Sequence, residues 1–380
     1  RVDYNVVENG KIIDEFRVRS SLDTINYLLD KNCSIILASH NGRPDGKVVE
    51  GLSLRPVAKL LPRLLNRDVI FLDDCVGEAV QKESEYLRSG DIMLLENLRF
   101  HPEEEKNDPK FAAQLADLAE IYIDDAFAAI HRAHASTVGV PRLLPHAAGL
   151  LVQKEYETFE MLMHKPKHPY TAVIGGVKIS DKIEVLVELI KHVDNLLLGG
   201  AMANTFLAAL GNNMRSSIVE KSNLKAAKKI INLAEKNKVR LLLPVDLVVA
   251  KQAKASQHGK VVEINKLKPG DMALDVGPAT MEIFDDILQD SKTIFWNGTL
   301  GMAEIPVFAV ASEDLAHTLI GSKAQTIVGG GDTAAFVDQH KLAEEFGFVS
   351  TGGGASLELL AGKKLPGLEV LKTKRLKISI

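Results

Sequence analysis

Cysteine is scarce. The 380 residues contain only Cys33 and Cys75, too few for a disulfide framework, and they lack the C-x-x-C spacing of a redox or zinc motif. They are expected to be reduced thiols in a cytoplasmic protein. Aromatics make up 5% of the chain and the formal net charge is −4, which excludes a base-stacking surface and a basic nucleic-acid footprint. No apolar run is long enough to span a bilayer, no signal peptide is expected, and neither a repeat nor a low-complexity segment stands out. Two common phosphate fingerprints are also missing: G-x-x-x-x-G-K-[ST], and G-x-G-x-x-G after a strand. What remains is globular, 46% hydrophobic and 25% charged, and too long for one ordinary core, so two domains are expected.

What is present is a rhythm. Short apolar runs ending in polar residues, "SIILASH", "VIFLDD", "IMLLEN" and "IYIDDA", alternate with helical stretches such as 54–65 and 111–119. That alternation predicts βα units and a parallel sheet. In a second series the runs end on glycine or proline: "AVIGG", "NLLLGG", "RLLLP", "TIFWNG", "TIVGGG" and "FVSTGGG". Ligands of open α/β sheets lie beyond the carboxyl ends of the strands. One half therefore offers His, Asp, Asn and Arg there, and the other offers bare backbone. A helix from about Leu150 to Met163, closed by Pro166 and Pro169, is the expected join.

The glycine-ended runs suggest phosphate. In "IGGVKISDKIEVLVELI", Ser180 reads as a helix N-cap, with Lys178 and Lys182 around the helix start, where a cation opposes the macrodipole. Either lysine could simply be solvated; beside a Gly-Gly turn, each also suits a bound phosphate. In "TIVGGGDTAAF", Asp332 and Thr333 either cap a helix or hold Mg²⁺ while the amides of Gly330 and Gly331 face phosphate. Glu304, after "IFWNGTLGMAE", reads as a surface carboxylate or a partner for a sugar hydroxyl. "STGGGASLELL" places Gly352, Gly353 and Gly354 at a helix start, either as a close turn or as an anion cradle. In the first half, Arg17, Arg43, Arg99 and Arg132 fall in or beside predicted loops, with His40 and His131 nearby, and "RVDYN" sets Asp3 and Asn5 on one face of a strand. Planar guanidinium groups suit bidentate capture of carboxylate or phosphate.

The ordered set "RVDYNV", "SHNGRP", "LENLRFHPEEE", "DDAFAAIHRAHAS", "GGVKISDKI", "GGAMANTFL", "WNGTLG", "GGGDTAA" and "STGGGASLELLAGKKLPG" resembles the phosphoglycerate kinase family over almost the whole chain. The resemblance implies an α/β fold of two doubly wound parallel-sheet domains facing each other across a hinge-bending cleft. Residues 1–149 would bind phosphoglycerate, residues 150–365 would bind nucleotide, and the tail 366–380 would return to the first domain. It implies reversible phosphoryl transfer from 1,3-bisphosphoglycerate to MgADP, in a monomer with no nucleic-acid or membrane partner. By motif, Asp3, Tyr4, Asn5, Arg17, His40, Asn41, Gly42, Arg43, Arg99 and Arg132 map onto the phosphoglycerate site. Gly176, Lys178, Lys182, Gly199, Gly200, Asn297, Glu304, Gly330, Gly331, Asp332 and Thr333 map onto the nucleotide site, with Asp332 nearest the metal. Arg17, Lys178 and the amides of Gly352, Gly353 and Gly354 are assigned to the moving phosphoryl group. Departures from the family pattern are Asn41 for Leu, "DDAFAAIHR" for "NDAFGTAHR", Thr299 for Pro and Ala303 for Phe. The chain opens at Arg1, inside the family's first strand, so a truncated start is expected. Another carboxylate kinase would share the glycine loops without the paired "RVDYN" and "SHNGRP" receptors. A non-catalytic nucleotide-binding regulator would bind ADP without turnover.

Overall fold

A computed structural model describes residues 1–373. The chain divides into two compact units: Arg1–Thr158 together with the segment from Lys364, and Phe159–Lys363. Among the described residues no helix is long and apolar enough to cross a membrane.

In the first unit the apolar runs become short parallel strands. Ile92–Leu94 lies between Ile35–Leu37 and Ile70–Phe71, and Tyr122–Asp124 pairs with His146–Ala148. The extended start of the chain joins the two sets, with Val2 N donating to Ala38 O (3.0 Å) and Asp125 N to Arg1 O (2.8 Å). The segment expected as a strand from residue 1 is thus extended, but the first regular strand is Val7–Glu8. It pairs antiparallel with Lys11–Ile12 across Asn9 and Gly10, both at positive φ, the conformation an Asn-Gly hairpin turn requires. The predicted helices form as Arg55–Leu65 and Pro109–Ala116. The latter is capped by Asp108, whose carboxylate accepts from the amides of Lys110 and Phe111. Tyr4, Leu54 and Leu61 are fully buried in one apolar cluster, while Phe111 and Leu115 belong to another.

The second unit carries a six-stranded sheet, all parallel, in the order Arg240–Leu242, Asn195–Leu198, Tyr170–Ile174, Thr293–Asn297, Gln325–Gly329, Phe348–Val349. Numbered along the chain this is 3-2-1-4-5-6, the doubly wound order, with its switch point between Tyr170–Ile174 and Thr293–Asn297. Both strands are buried along their whole length, as strands covered on two faces must be, and Trp296 lies fully enclosed. One part of this unit has no counterpart in the sequence reading. Asp246–Ala250 pairs antiparallel with both Lys260–Glu263 and Met272–Val276. Asp246 also caps the helix Pro278–Asp290, accepting from Ala279 N and Thr280 N. The helix Leu150–His164 runs through the boundary between the units.

Candidate active site

The switch point is built from backbone. Gly175 N donates to Asn297 O and Gly176 N to Thr299 O, so the loops after two neighbouring strands touch. A Cβ on Gly175 would lie 2.1 Å from Thr299 O, which explains the glycine there. Lys182 fastens this junction: its Nζ donates to Gly175 O (2.8 Å), Asn297 O (3.1 Å) and Asn297 Oδ1 (2.6 Å). Burial lowers its pKa to about 8, with Asp332 and Asp181 opposing the shift. Lys178, by contrast, is exposed and forms no ion pair among the described residues.

A pocket of about 900 Å³ opens over these loops, entirely within the second unit. Of the residues expected at a nucleotide site, Gly176, Lys178, Lys182, Gly200, Asn297, Glu304, Gly330, Gly331, Asp332 and Thr333 line it, together with Gly353 and Gly354. Thr333 Oγ1 accepts from Gly298 N at 2.6 Å, which ties two of the loops together. Gly199 and Gly352 are not in the lining. A Cβ on Gly199 would strike Leu300, and Gly352 N donates to Ser350 Oγ, so both serve packing and turn geometry in this structure. Ser180 is not the N-cap expected of it. Lys182 occupies that position, and Glu220 accepts from Ile179 N, Ser180 N and Ser180 Oγ.

The pocket also has walls that the sequence reading missed. Leu247, Leu274 and Asp275 come from the antiparallel sheet, while Asn204 comes from the helix Gly200–Ala209. Burial pushes the Asp275 carboxyl up to about 7, although it accepts from Ala311 N and Val276 N. An apolar stretch such as "MALDV" carries no phosphate signature. Only its position in the fold makes it a wall.

In the first unit Asp3, Asn5, Arg17, Gly42 and Arg99, among the expected anion receptors, are linked by hydrogen bonds. Arg17 Nη1 donates to Asp3 Oδ2 (3.0 Å), and Asn5 Oδ1 accepts from Gly42 N (2.8 Å). Arg99 Nη1 donates to Gly42 O (2.7 Å), and its Nε stands 3.2 Å from Glu105. His40 is buried and its Nδ1 accepts from the Arg1 guanidinium (2.9 Å). Burial first, then the charges of Arg1, Arg99, His134 and Arg132, hold it well below the ordinary histidine range, so it is neutral. Burial first, then the charges of Arg99, Arg1, Arg132 and His131, lower His134 to about 4. Arg132 donates through Nε to His131, and Arg43 is exposed. Two side chains depart from the expected role. Tyr4 is fully buried with its hydroxyl on Ser21 Oγ, and Asn41 is spent on Val7 N, Val7 O and Leu52 O. Both hold the loop together, and neither side chain is open to a ligand.

Among the described residues, the one cluster of side chains with metal-ligand geometry is Asp74, Cys75 and His101, in the first unit. Asp332 is an exposed carboxylate of the pocket that belongs to no such cluster. That suits Mg²⁺, which takes one or two carboxylates and completes its shell with phosphate and water.

A doubly wound sheet whose glycine loops, lysines and Asp332 surround a pocket defines a nucleotide-binding phosphotransferase unit. The model of the family "Phosphoglycerate kinase" matches residues 1–363. The chain is 50% identical to the phosphoglycerate kinase of Moorella thermoacetica and 46% identical to that of Pelotomaculum thermopropionicum, each over 98% of this chain and 95% of the relative. The structure of phosphoglycerate kinase from Coxiella burnetii superposes with a TM-score of 0.86 at 38% identity, covering 98% of this chain and 94% of that one. The phosphoglycerate kinase structure from Pyrococcus horikoshii gives 0.87 at 28% identity, covering 98% and 95%. The chain belongs to the phosphoglycerate kinase family. Its activity is that of a glycolytic kinase, an ATP:3-phosphoglycerate 1-phosphotransferase that moves a phosphoryl group reversibly between 1,3-bisphosphoglycerate and ADP.

Proposed function

We propose that the linked set in the first unit holds 3-phosphoglycerate and that the pocket of the second unit holds the nucleotide. The observation that carries this division is chemical: arginines gather on one unit, while glycine loops, Lys178, Lys182 and Asp332 surround a pocket on the other. Arg43, Arg99 and Arg132 would take the charged ends of the acceptor, and Asp3 and Asn5 its hydroxyl. Gly176, Gly200, Gly330 and Gly331 would receive the nucleotide, with Glu304 toward its sugar. Asp332 would hold Mg²⁺, which when bound neutralises phosphate charge.

Phosphoryl transfer proceeds through a loose transition state with charge on three equatorial oxygens, so positioning and electrostatics dominate. Arg17 and Lys178 are assigned to those oxygens, with the amides of Gly353 and Gly354 beside them. Lys182 helps from below by fixing the loops rather than by touching the moving group. No general base is required, because the attacking oxygen is already ionised. Neither unit alone carries both sets, so the reacting atoms reach about 3–3.5 Å only if the units close on their two ligands. The protein is taken to be a cytoplasmic monomer with no nucleic-acid or membrane partner, in keeping with its free thiols and acidic balance.

A coupled assay of ATP-dependent 3-phosphoglycerate phosphorylation tests these roles. Lys178→Ala should lower kcat by about 10²–10³ while ADP still binds, because the lost donor acts on developing charge. Turnover within a few-fold of the parent would make Lys178 a surface lysine.

A further inference from the structure

Asn204 lies in the second turn of the helix Gly200–Ala209 and forms part of the pocket wall. It is 1% exposed, and neither its carboxamide oxygen nor its nitrogen has a hydrogen-bond partner. Such an amide offers an acceptor and two donors, and leaving both buried atoms unpaired carries the full cost of their desolvation. Met202, Phe206 and Leu207 on the same helix are buried apolar side chains, and leucine is also the better helix former.

The other buried polar groups of the lining are already engaged. Asn297 takes Lys182 and donates to Gly329 O, Asp275 accepts two amides, and Thr333 accepts from Gly298 N. Ile218, Leu247 and Leu274 supply apolar wall in the same pocket, the surroundings in which a flat heterocycle is held and a single polar pair orients it. Resting on the nucleotide reading of this pocket, we infer that Asn204 reads the base. Its carboxamide pairs with an adjacent donor and acceptor on the edge of adenine, the exocyclic amine and the neighbouring ring nitrogen. Asparagine makes this bidentate match to adenine in nucleic-acid recognition. A purine without the exocyclic amine leaves the amide oxygen unpaired.

Calorimetry on the whole chain with ADP and with purine ribonucleoside diphosphate, which lacks the amine, tests this against Asn204→Leu. The parent should favour ADP by roughly tenfold, the scale of one well-made pairing in a dry pocket. Asn204→Leu should weaken ADP by about tenfold and the analogue much less, so that the preference collapses. The unliganded variant should also unfold at a higher temperature, because two unpaired atoms are gone. Should Asn204→Leu fail to fold, Asn204→Ser poses the same question with a smaller side chain. Equal losses for both nucleotides, or an ADP preference that survives substitution, would overturn the assignment while leaving the nucleotide site in place. Absence of ADP binding to the parent would overturn the site and the inference together.

Discussion

Arg17 is held by carboxylates on two sides: Nη1 is 3.0 Å from Asp3 and Nε is 3.8 Å from Asp14. This bracing presents the guanidinium as a planar fork. Lysine cannot reproduce it, because an ammonium is a single point of charge. Arg17→Lys is therefore expected to lower kcat by roughly 10²-fold. Binding of 3-phosphoglycerate should persist through Arg43, Arg99 and Arg132. A normal kcat at saturation with weakened binding would reassign Arg17 to holding the ground state. Charged residues were the most legible part of the sequence, since an arginine beside a strand end announces a capacity wherever the chain carries it. Uncharged polar residues were not. Tyr4 sits between Asp3 and Asn5 yet faces the core, and Asn41 next to His40 is consumed by backbone. Asn204 hid in the apolar run "GAMANTFLAA", where only its polarity marks it.

At the level of elements, the runs ending on glycine or proline led directly to the six parallel strands, because a buried parallel strand is a continuous apolar word and a glycine or proline after it is an audible stop. The antiparallel sheet was not legible. Lys260–Glu263 is short and mostly exposed, and nothing in its composition says which neighbour it pairs with. The Gly352–Gly354 turn separates two reasons for glycine. Gly353 has φ 50° and ψ −116°, and a Cβ there would meet nothing within 4 Å, so conformation rather than space demands it. Gly353→Ala should cost about 1–3 kcal/mol, the scale of one strained residue, and lower the thermal midpoint by several degrees. It should also reduce kcat, because the helix Gly354–Leu360 would start from a displaced turn. A variant that keeps both its midpoint and its kcat would show that this backbone relaxes without consequence.

For the whole molecule, the proposed division of the ligands between two units predicts motion. Small-angle scattering should show a clear fall in the radius of gyration with 3-phosphoglycerate plus a MgATP analogue, and a smaller change with either alone. An unchanged radius with both ligands demonstrably bound would rule out closure. The chain path carries a further consequence. The helix Pro366–Leu371, although it follows the second unit, belongs with the first: Gly367 N donates to Ile130 O, and His146 Nε2 meets Thr373 O at 3.1 Å. The second unit is therefore one uninterrupted stretch, while the first is written on both sides of it. On the ribosome, the half whose residues emerge first must wait, its surface around Ile130 uncovered, until the other half has been made and the helix Pro366–Leu371 arrives to close it.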